Sequence, residues 1–367
     1  MSDQPIKRRK FIAKSVQAAS LLALSSSAYA IGGCTADTRK LGIALLGLGS
    51  YATNQLAPAL EHTQHCRLAG IVTGTPSKIG AWQKNYAIPD KNVYNYDNFD
   101  SIKNNRDIDI VYVVTPNALH MPFVVRAAEA GKHVICEKPM EISSDRCKTM
   151  ITACEKAGKK LQIGYRLQYD PYHQQLMRLG QKQEFGKVKL VNTGFSFYGV
   201  NNDNWRFTDA KLSGGGPLMD IGIYSLQGVR YSLGEEPISI TAQRYKTIMD
   251  KLPDMEETIC WQMEFPSGAV ANCTSSYVAR ENYIRVSSEK GVFGLEPAFS
   301  YDGLEGYINQ GVMPPQTHIQ QAAQMDAFAL NIKENTPVIA SGEEGLRDMV
   351  IIEAIYEAAR SGKKIIL

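Results

Sequence analysis

Several things are missing from this sequence, and each absence excludes a class of protein. No Cys-x-x-Cys pair occurs, no histidine stands at zinc-ligand spacing from a cysteine, and no low-complexity tract or solenoid-period repeat is present. Seven cysteines and six histidines therefore provide neither a zinc site nor a disulfide framework. Setting Cys34 aside, Cys66, Cys136, Cys147, Cys154, Cys260 and Cys273 mostly fall in apolar contexts and read as buried thiols. No metal is expected. A dominant charge is also lacking. The formal charge of +3 comes from residues 1–33, whose five cations (Lys7, Arg8, Arg9, Lys10, Lys14) outweigh one anion (Asp3), so the remainder stands at −1. A near-neutral chain has no electrostatic case for nucleic acid. Nor is there an apolar run suited to a permanent membrane span: the weakly apolar stretch up to Ala30 is broken by Lys14 and Gln17.

What the N-terminus does contain is an address. Twin arginines in Lys7-Arg8-Arg9-Lys10, followed by Phe11-Ile12, resemble a twin-arginine export signal over residues 1–34. Two processing sites compete: Ala28-Tyr29-Ala30 fits signal peptidase, and Ile31-Gly32-Gly33-Cys34 resembles a lipoprotein box. The expectation is a periplasmic protein, free or held by a lipid anchor at Cys34.

From about residue 41 to 165, short strands and helices alternate. Strands are expected at 41–46, 67–73, 108–114, 133–136 and 160–164, and helices at 51–61, 77–86, 119–130 and 143–157. Continuous apolar strands linked by helices predict a parallel, doubly wound sheet. Beyond Tyr165 the pattern changes to longer, often alternating strands at 187–198, 238–245, 258–265, 269–277 and 283–288, with helices near 217–231, 319–333 and 343–360. That predicts a second, mostly antiparallel sheet with packed helices and one face available for packing. The fold class is α/β plus α+β, with a boundary near residues 164–166 and no flexible linker, so two docked domains are expected at 40–164 and 165–367.

Gly47-Leu48-Gly49-Ser50-Tyr51-Ala52 follows the first strand and opens the first helix. It is a G-x-G-x-x-A variant of the dinucleotide fingerprint, in which small residues let backbone approach a pyrophosphate at a helix N-terminus. NAD-binding chains usually carry a carboxylate at the end of the second strand for the ribose 2′-hydroxyl. Between Glu61 and Asp90 this chain has none; it has Thr73-Gly74-Thr75-Pro76-Ser77-Lys78 instead. Hydroxyls, amides and the Lys78 cation suit a 2′-phosphate, so NADP is expected rather than NAD. Thr115-Pro116-Asn117 lies on the same carboxyl edge of the sheet, where ligands bind, and His120 follows it as a capping, packing or cofactor residue.

Glu137-Lys138-Pro139 closes the 133–136 strand, and Asp220-Ile221-Gly222-Ile223-Tyr224 follows the Gly214-Gly215-Gly216-Pro217 turn. Residues four apart share a helix face, so Asp220 and Tyr224 are expected to reach one pocket together with Lys138. A cation, a carboxylate and a phenol suit removal of hydride from a carbinol carbon while the phenolate takes the hydroxyl proton. Lys138 and the helix N-terminus bring positive potential to Tyr224; Asp220 opposes it unless paired, which suits an orienting role.

These motifs, together with Gly164-Tyr165-Arg166, Trp205-Arg206, Gly234-Glu235-Glu236-Pro237 and the 354–360 segment, resemble the glucose-fructose and aldose-aldose oxidoreductase group. That group lies within the Gfo/Idh/MocA oxidoreductase superfamily, and the resemblance covers residues 41–367. It implies a Rossmann domain that binds NADP and a C-terminal domain that binds a sugar and forms homo-oligomers through its sheet. It further implies oxidation of an aldose at C1 to the lactone, with ping-pong reduction of a second sugar. Lys138 would hydrogen-bond the reacting hydroxyl, Tyr224 would be the base, and Asp220 would orient the sugar. Tyr165, Arg166, Trp205 and Arg206 would line the nicotinamide and sugar pocket beside Glu137. Many superfamily members have histidine at the position of Tyr224. Tyrosine there speaks against a redox-neutral glycosidase of the same superfamily, and retention of all three catalytic candidates speaks against a non-catalytic nucleotide or sugar sensor. Members with permanently bound NADP have a long proline-rich arm before the first strand; here only Thr35–Lys40 separates Cys34 from it, which speaks against tight retention of NADP while leaving two-sugar ping-pong chemistry open.

Overall fold

The structure is a computed structural model that describes residues 39–201, 203–248, 251–252 and 254–367. The expected export signal, its two candidate processing sites and Cys34 lie outside the described residues. Among the described residues no helix is long and apolar enough to cross a membrane, and every cysteine is a free thiol, all buried except the half-buried Cys260.

The first sheet has six parallel strands: β1 (Leu41–Leu46), β2 (Cys66–Val72), β3 (Val93–Tyr94), β4 (Ile110–Val113), β5 (His133–Cys136) and β6 (Leu161–Ile163). Their order is β3-β2-β1-β4-β5-β6, so the chain starts in the middle and winds outward in both directions. β1 is buried along its whole length because both of its faces are covered. Ile43 and Leu45 join one core with Ala322, Met325, Phe328 and Ala329, while Ala44 and Leu46 join the larger core on the other side. The helix Gln320–Lys333, distant in sequence, thus forms part of the cover of the first sheet.

The second sheet has nine strands: β7 (Val188–Ser196), β8 (Ser239–Tyr245), β9 (Thr258–Glu264), β10 (Val270–Ser276), β11 (Glu281–Ser288), β12 (Gly291–Leu295), β13 (Gly306–Ile308), β14 (Gly311–Val312) and β15 (Ile365–Ile366). The order is β14-β13-β12-β11-β7-β10-β9-β8-β15. All neighbours are antiparallel except β7 and β10. Alternation buries Ile259, Trp261 and Met263 of β9 and Ala271 and Cys273 of β10 on one face. The helix Ile223–Leu233 packs on the sheet against β7, β10 and β11.

Most expected elements appear within a few residues of their predicted limits. Sequence reasoning omitted the helix Pro171–Gln181, which is capped by Asp170 accepting from the His173 amide, and the strands β3 and β12 to β15. These strands, of two to five residues, are too short for a period-two signal to emerge.

Candidate active site

The glycine turn after β1 is shaped by its neighbours. Gly47 has φ +98°, and a Cβ there would stand 2.6 Å from the Val114 carbonyl oxygen. Only glycine closes this turn without strain. At Gly49 the space beside Cα is open, and Ala52 beneath the turn is fully buried. Ser50 lies at the surface with its hydroxyl accepting from Asn54 Nδ2 at 3.1 Å. After β2, buried Thr73 accepts the Thr75 amide at 3.1 Å, and Lys78 reaches back to donate to the Leu48 carbonyl at 2.7 Å. Lys78 therefore lies at the glycine turn, with hydroxyls and amides around it.

At the carboxyl end of β4, the Thr115 hydroxyl is buried without a hydrogen-bond partner. An open glycine cradle, an orphaned hydroxyl on the carboxyl edge and a cation at the turn fit a dinucleotide phosphate group. Gly47, Gly49, Ser50 and Thr115 would hold the pyrophosphate, and Lys78 a 2′-phosphate. Pro116 directs the chain into the Asn117–Leu119 turn. Asn117 Nδ2 donates to the Ser213 carbonyl at 2.8 Å and is buried, tying this edge to the segment before Gly214.

His120 stands differently from its placement among the cofactor residues. It is 1% exposed; its Nδ1 lies 3.1 Å from the Pro139 carbonyl and 3.2 Å from that of Met140, and its Nε2 lies 3.0 Å from the Thr115 carbonyl. Burial holds its pKa below the usual histidine range. The ring is a strut between the ends of β4 and β5, with no nitrogen left for a ligand.

The Lys138–Pro139 peptide, which is cis, follows β5. Glu137 is buried beneath it: one carboxylate oxygen accepts from Tyr112 Oη at 2.6 Å and the other from the Lys138 amide at 3.1 Å. Burial pushes this carboxyl up from its ordinary range. A Cβ on Gly164 would stand 2.6 Å from Glu137 Oε1, which explains glycine at that place. Glu137 thus anchors the backbone of Lys138 from behind.

The three expected catalytic residues do meet. Lys138 Nζ donates to the Asp220 carbonyl at 2.5 Å, lies 3.7 Å from Asp220 Oδ1 and sits 4.9 Å from the centre of the Tyr224 ring. Asp220 is well paired: Tyr277 Oη donates to Oδ2 at 3.1 Å, and Arg206 Nε lies 3.5 Å from Oδ1. The Arg206 guanidinium lies over the Trp205 ring at 4.4 Å. Arg166 is buried, with its guanidinium between the rings of Tyr224 (4.9 Å) and Tyr301 (4.6 Å). Its Nε donates to Tyr224 Oη at 3.3 Å, and its other donors go to the Phe299 and Ser300 carbonyls and Gln320 Oε1. Tyr301 also stands 5.8 Å, ring to ring, from Tyr51 of the glycine turn. The first turn carrying Asp220, Leu218–Gly222, is wound as a π-helix and continues as the α-helix Ile223–Leu233.

Tyr165 does not join this group. It is 1% exposed, and burial and the Asp348, Tyr231 and Glu344 side chains raise its pKa. It faces the buried cluster in which Arg230 pairs with Glu236, Glu344 and Asp348. Its assignment to the sugar pocket is withdrawn in favour of this packing role. Sequence reasoning in turn missed Tyr277 and Tyr301, which reach the site from distant elements with no local motif.

Two family profiles match the chain: "Oxidoreductase family, NAD-binding Rossmann fold" over residues 41–165 and "GFO/IDH/MocA C-terminal domain" over residues 173–294. Among solved structures, that of an aldose-aldose oxidoreductase from Caulobacter crescentus complexed with glycerol superposes with a TM-score of 0.86 at 44% identity, covering 90% of this chain and 100% of that one. A D-xylose 1-dehydrogenase [NADP(+)] of Haloarcula marismortui is 29% identical over 338 residues, 89% of this chain and 93% of the relative. A D-xylose 1-dehydrogenase (NADP(+)) 2 of Haloferax volcanii is 28% identical over 328 residues, 87% and 97% of the two chains. Matched in both halves, and 44% identical to a relative it covers end to end, the chain belongs to the GFO/IDH/MocA oxidoreductase family.

Proposed function

We propose that the protein is an NADP-dependent sugar oxidoreductase that oxidises the C1 hydroxyl of a cyclic aldose to the lactone. The observation that carries this reading is the meeting of Lys138, Asp220 and Tyr224 within one cluster, with the Lys138 ammonium 4.9 Å from the Tyr224 ring centre. A dinucleotide whose phosphates are held at the glycine turn would supply its nicotinamide as the acceptor for the hydride. Tyr224 takes the proton of the C1 hydroxyl as the C1–H bond breaks with its electron pair, leaving a carbonyl at C1. Lys138 donates a hydrogen bond to that oxygen. Asp220, its charge shared with Lys138, Arg206 and Tyr277, orients the ring hydroxyls. Lys138 and Arg166, both about the Tyr224 ring, place two cations beside the phenol oxygen, whose phenolate form takes this proton.

Lys78 at the glycine turn and the carboxylate-free stretch from Glu61 to Asp90 support NADP over NAD. The D-xylose 1-dehydrogenases similar to this chain are likewise named for NADP(+), and the aldose-aldose oxidoreductase supports an aldose as substrate. In this proposal residues 40–164 bind the cofactor, residues 165–367 bind the sugar, and the open face of the nine-stranded sheet joins copies of the chain. The N-terminal sequence supports twin-arginine export to the periplasm, with Cys34 as a candidate lipid anchor.

The test is purification without added cofactor, followed by spectroscopy of the nicotinamide on sequential addition of two aldoses. Reduction by the first and reoxidation by the second support the ping-pong form; reduction only of added NADP supports a simple dehydrogenase. Failure of any aldose to reduce bound or added nicotinamide overturns the proposal.

A further inference from the structure

The turn that carries Asp220 begins without a side-chain cap of its own. Pro217 stands at its N-terminus and offers no capping group, although the first amides of a helix need acceptors. Those acceptors come from far away in sequence. Glu256, in the segment leading into β9, is 4% exposed. Its Oε2 accepts from the Gly216 amide at 3.1 Å and its Oε1 from the Leu218 amide at 3.2 Å. Tyr356, on the helix Gly342–Ser361, donates its hydroxyl to Oε1 at 3.0 Å.

The glycine run is shaped to receive these groups. A Cβ on Gly216 would stand 2.9 Å from Glu256 Cδ and 3.0 Å from Oε2, and one on Gly215 would strike the Tyr356 hydroxyl. Ser275 completes the support by donating to the Pro217 carbonyl at 3.1 Å. At the other end of the same turn, Lys138 Nζ holds the Asp220 carbonyl at 2.5 Å. The turn is therefore gripped at its start by a buried carboxylate and at its third residue by the lysine of the site. The three donors fit a carboxylate, whereas burial opposes the charge and pushes the Glu256 carboxyl above its ordinary range.

We propose that Glu256 and Tyr356 are positioning residues for the reaction: the buried carboxylate, locked by the Tyr356 hydroxyl, sets where Asp220 and Tyr224 stand relative to Lys138. The proposal rests on the sugar-oxidoreductase reading for the reaction it serves, while the clamp itself stands on the hydrogen bonds around Gly216 and Leu218. Neither residue touches the reacting atoms, so loss of the clamp degrades chemistry rather than binding. Near-attack geometry is sensitive to small displacements, about a hundredfold in rate for roughly 1 Å.

The test uses the full-length enzyme with the variants Glu256→Gln and Tyr356→Phe. Glu256→Gln keeps the volume but turns an NH2 group toward one of the backbone amides; Tyr356→Phe removes one hydroxyl and keeps the ring. Hydrogen exchange in the peptide covering 214–222 should quicken in both. The kcat for aldose oxidation should fall about tenfold or more in Glu256→Gln and a few-fold in Tyr356→Phe. The sugar KM and the NADP Kd, read by NADPH fluorescence, should stay within about twofold of wild type, and the isotope effect with C1-deuterated aldose should be at least as large as in wild type. Faster exchange with unchanged kcat would reduce the clamp to a helix cap and overturn the proposal. Unchanged exchange, or a loss confined to KM, would overturn it as well. A wild-type enzyme that turns over no aldose would count against the functional reading instead, and the clamp would then stand or fall on exchange at 214–222.

Discussion

Replacing Tyr224 by phenylalanine removes one oxygen atom and leaves the surroundings of the ring in place. Phe195 and Phe299 hold the ring at centroid distances of 5.7 and 6.2 Å, and Lys138 and Arg166 each sit 4.9 Å from its centre. With the oxygen goes the 3.3 Å hydrogen bond from Arg166 Nε. Arg166 keeps its bonds to the Phe299 and Ser300 carbonyls and to Gln320, so its charge stays compensated. A single long hydrogen bond contributes about 1 kcal/mol to stability, too little to unfold a domain. A positioned general base is worth roughly a hundred- to ten-thousandfold in rate, or about 3–5 kcal/mol of barrier. The variant should therefore melt within a few degrees of wild type and bind NADP normally while losing nearly all aldose-dependent nicotinamide reduction. The assay is single-turnover absorbance of reduced nicotinamide with protiated and C1-deuterated aldose, alongside a fluorescence titration of NADPH. A kcat within about threefold of wild type is far below the value of a general base and would remove Tyr224 from that role. Parallel loss of NADP binding would show that the phenol holds the cofactor rather than the substrate proton.

Lys78→Ala should weaken NADP by about tenfold or more, the worth of a charge-assisted hydrogen bond, and NAD by much less; equal losses in the two titrations would sink the phosphate assignment. Gly47→Ala puts a side chain where φ is +98° and the Val114 carbonyl oxygen is 2.6 Å away, so a loss of about 1–3 kcal/mol in denaturant unfolding is expected, with weaker binding of both nicotinamide cofactors; unaltered stability would refute the strain. Burial holds His120, His133 and His173 below the ordinary histidine range, His133 at about 4. The unfolded chain therefore takes up these protons at higher pH than the folded one, and their contribution to stability is lost as pH falls below about 6.5, for His133 down toward 4. His133 Nδ1 accepts the Lys160 amide at 3.0 Å, a bond that protonation breaks, so His133→Gln should flatten the fall of Tm over that range; parallel Tm profiles would refute its share.

What can be read in advance depends on how local the physical cause is. β1 is apolar at every position because both faces are covered, and that signature survives without any knowledge of the cover. The Asp220 and Tyr224 pair is legible because a helix start fixes their relation within five residues, and Lys138 because a strand end fixes its place on the sheet. Tyr277 and Tyr301 at the site, and Glu256 behind the turn that carries Asp220, have no such signal, since each arrives through the packing of a separate element. Tyr165 is misassigned through its adjacency to Arg166, although neighbouring residues on a chain leaving a strand need not point the same way. Arg166 turns to Tyr224, and Tyr165 turns to the side of Asp348. The triple glycine sits between these cases. Three glycines before a helix announce that something approaches the backbone closely, and the Cβ positions at Gly215 and Gly216 show what does: a phenol from 356 and a carboxylate from 256. The sequence marks the socket locally and leaves its occupants unmarked, because a socket is a property of one segment and its filling is a property of the fold.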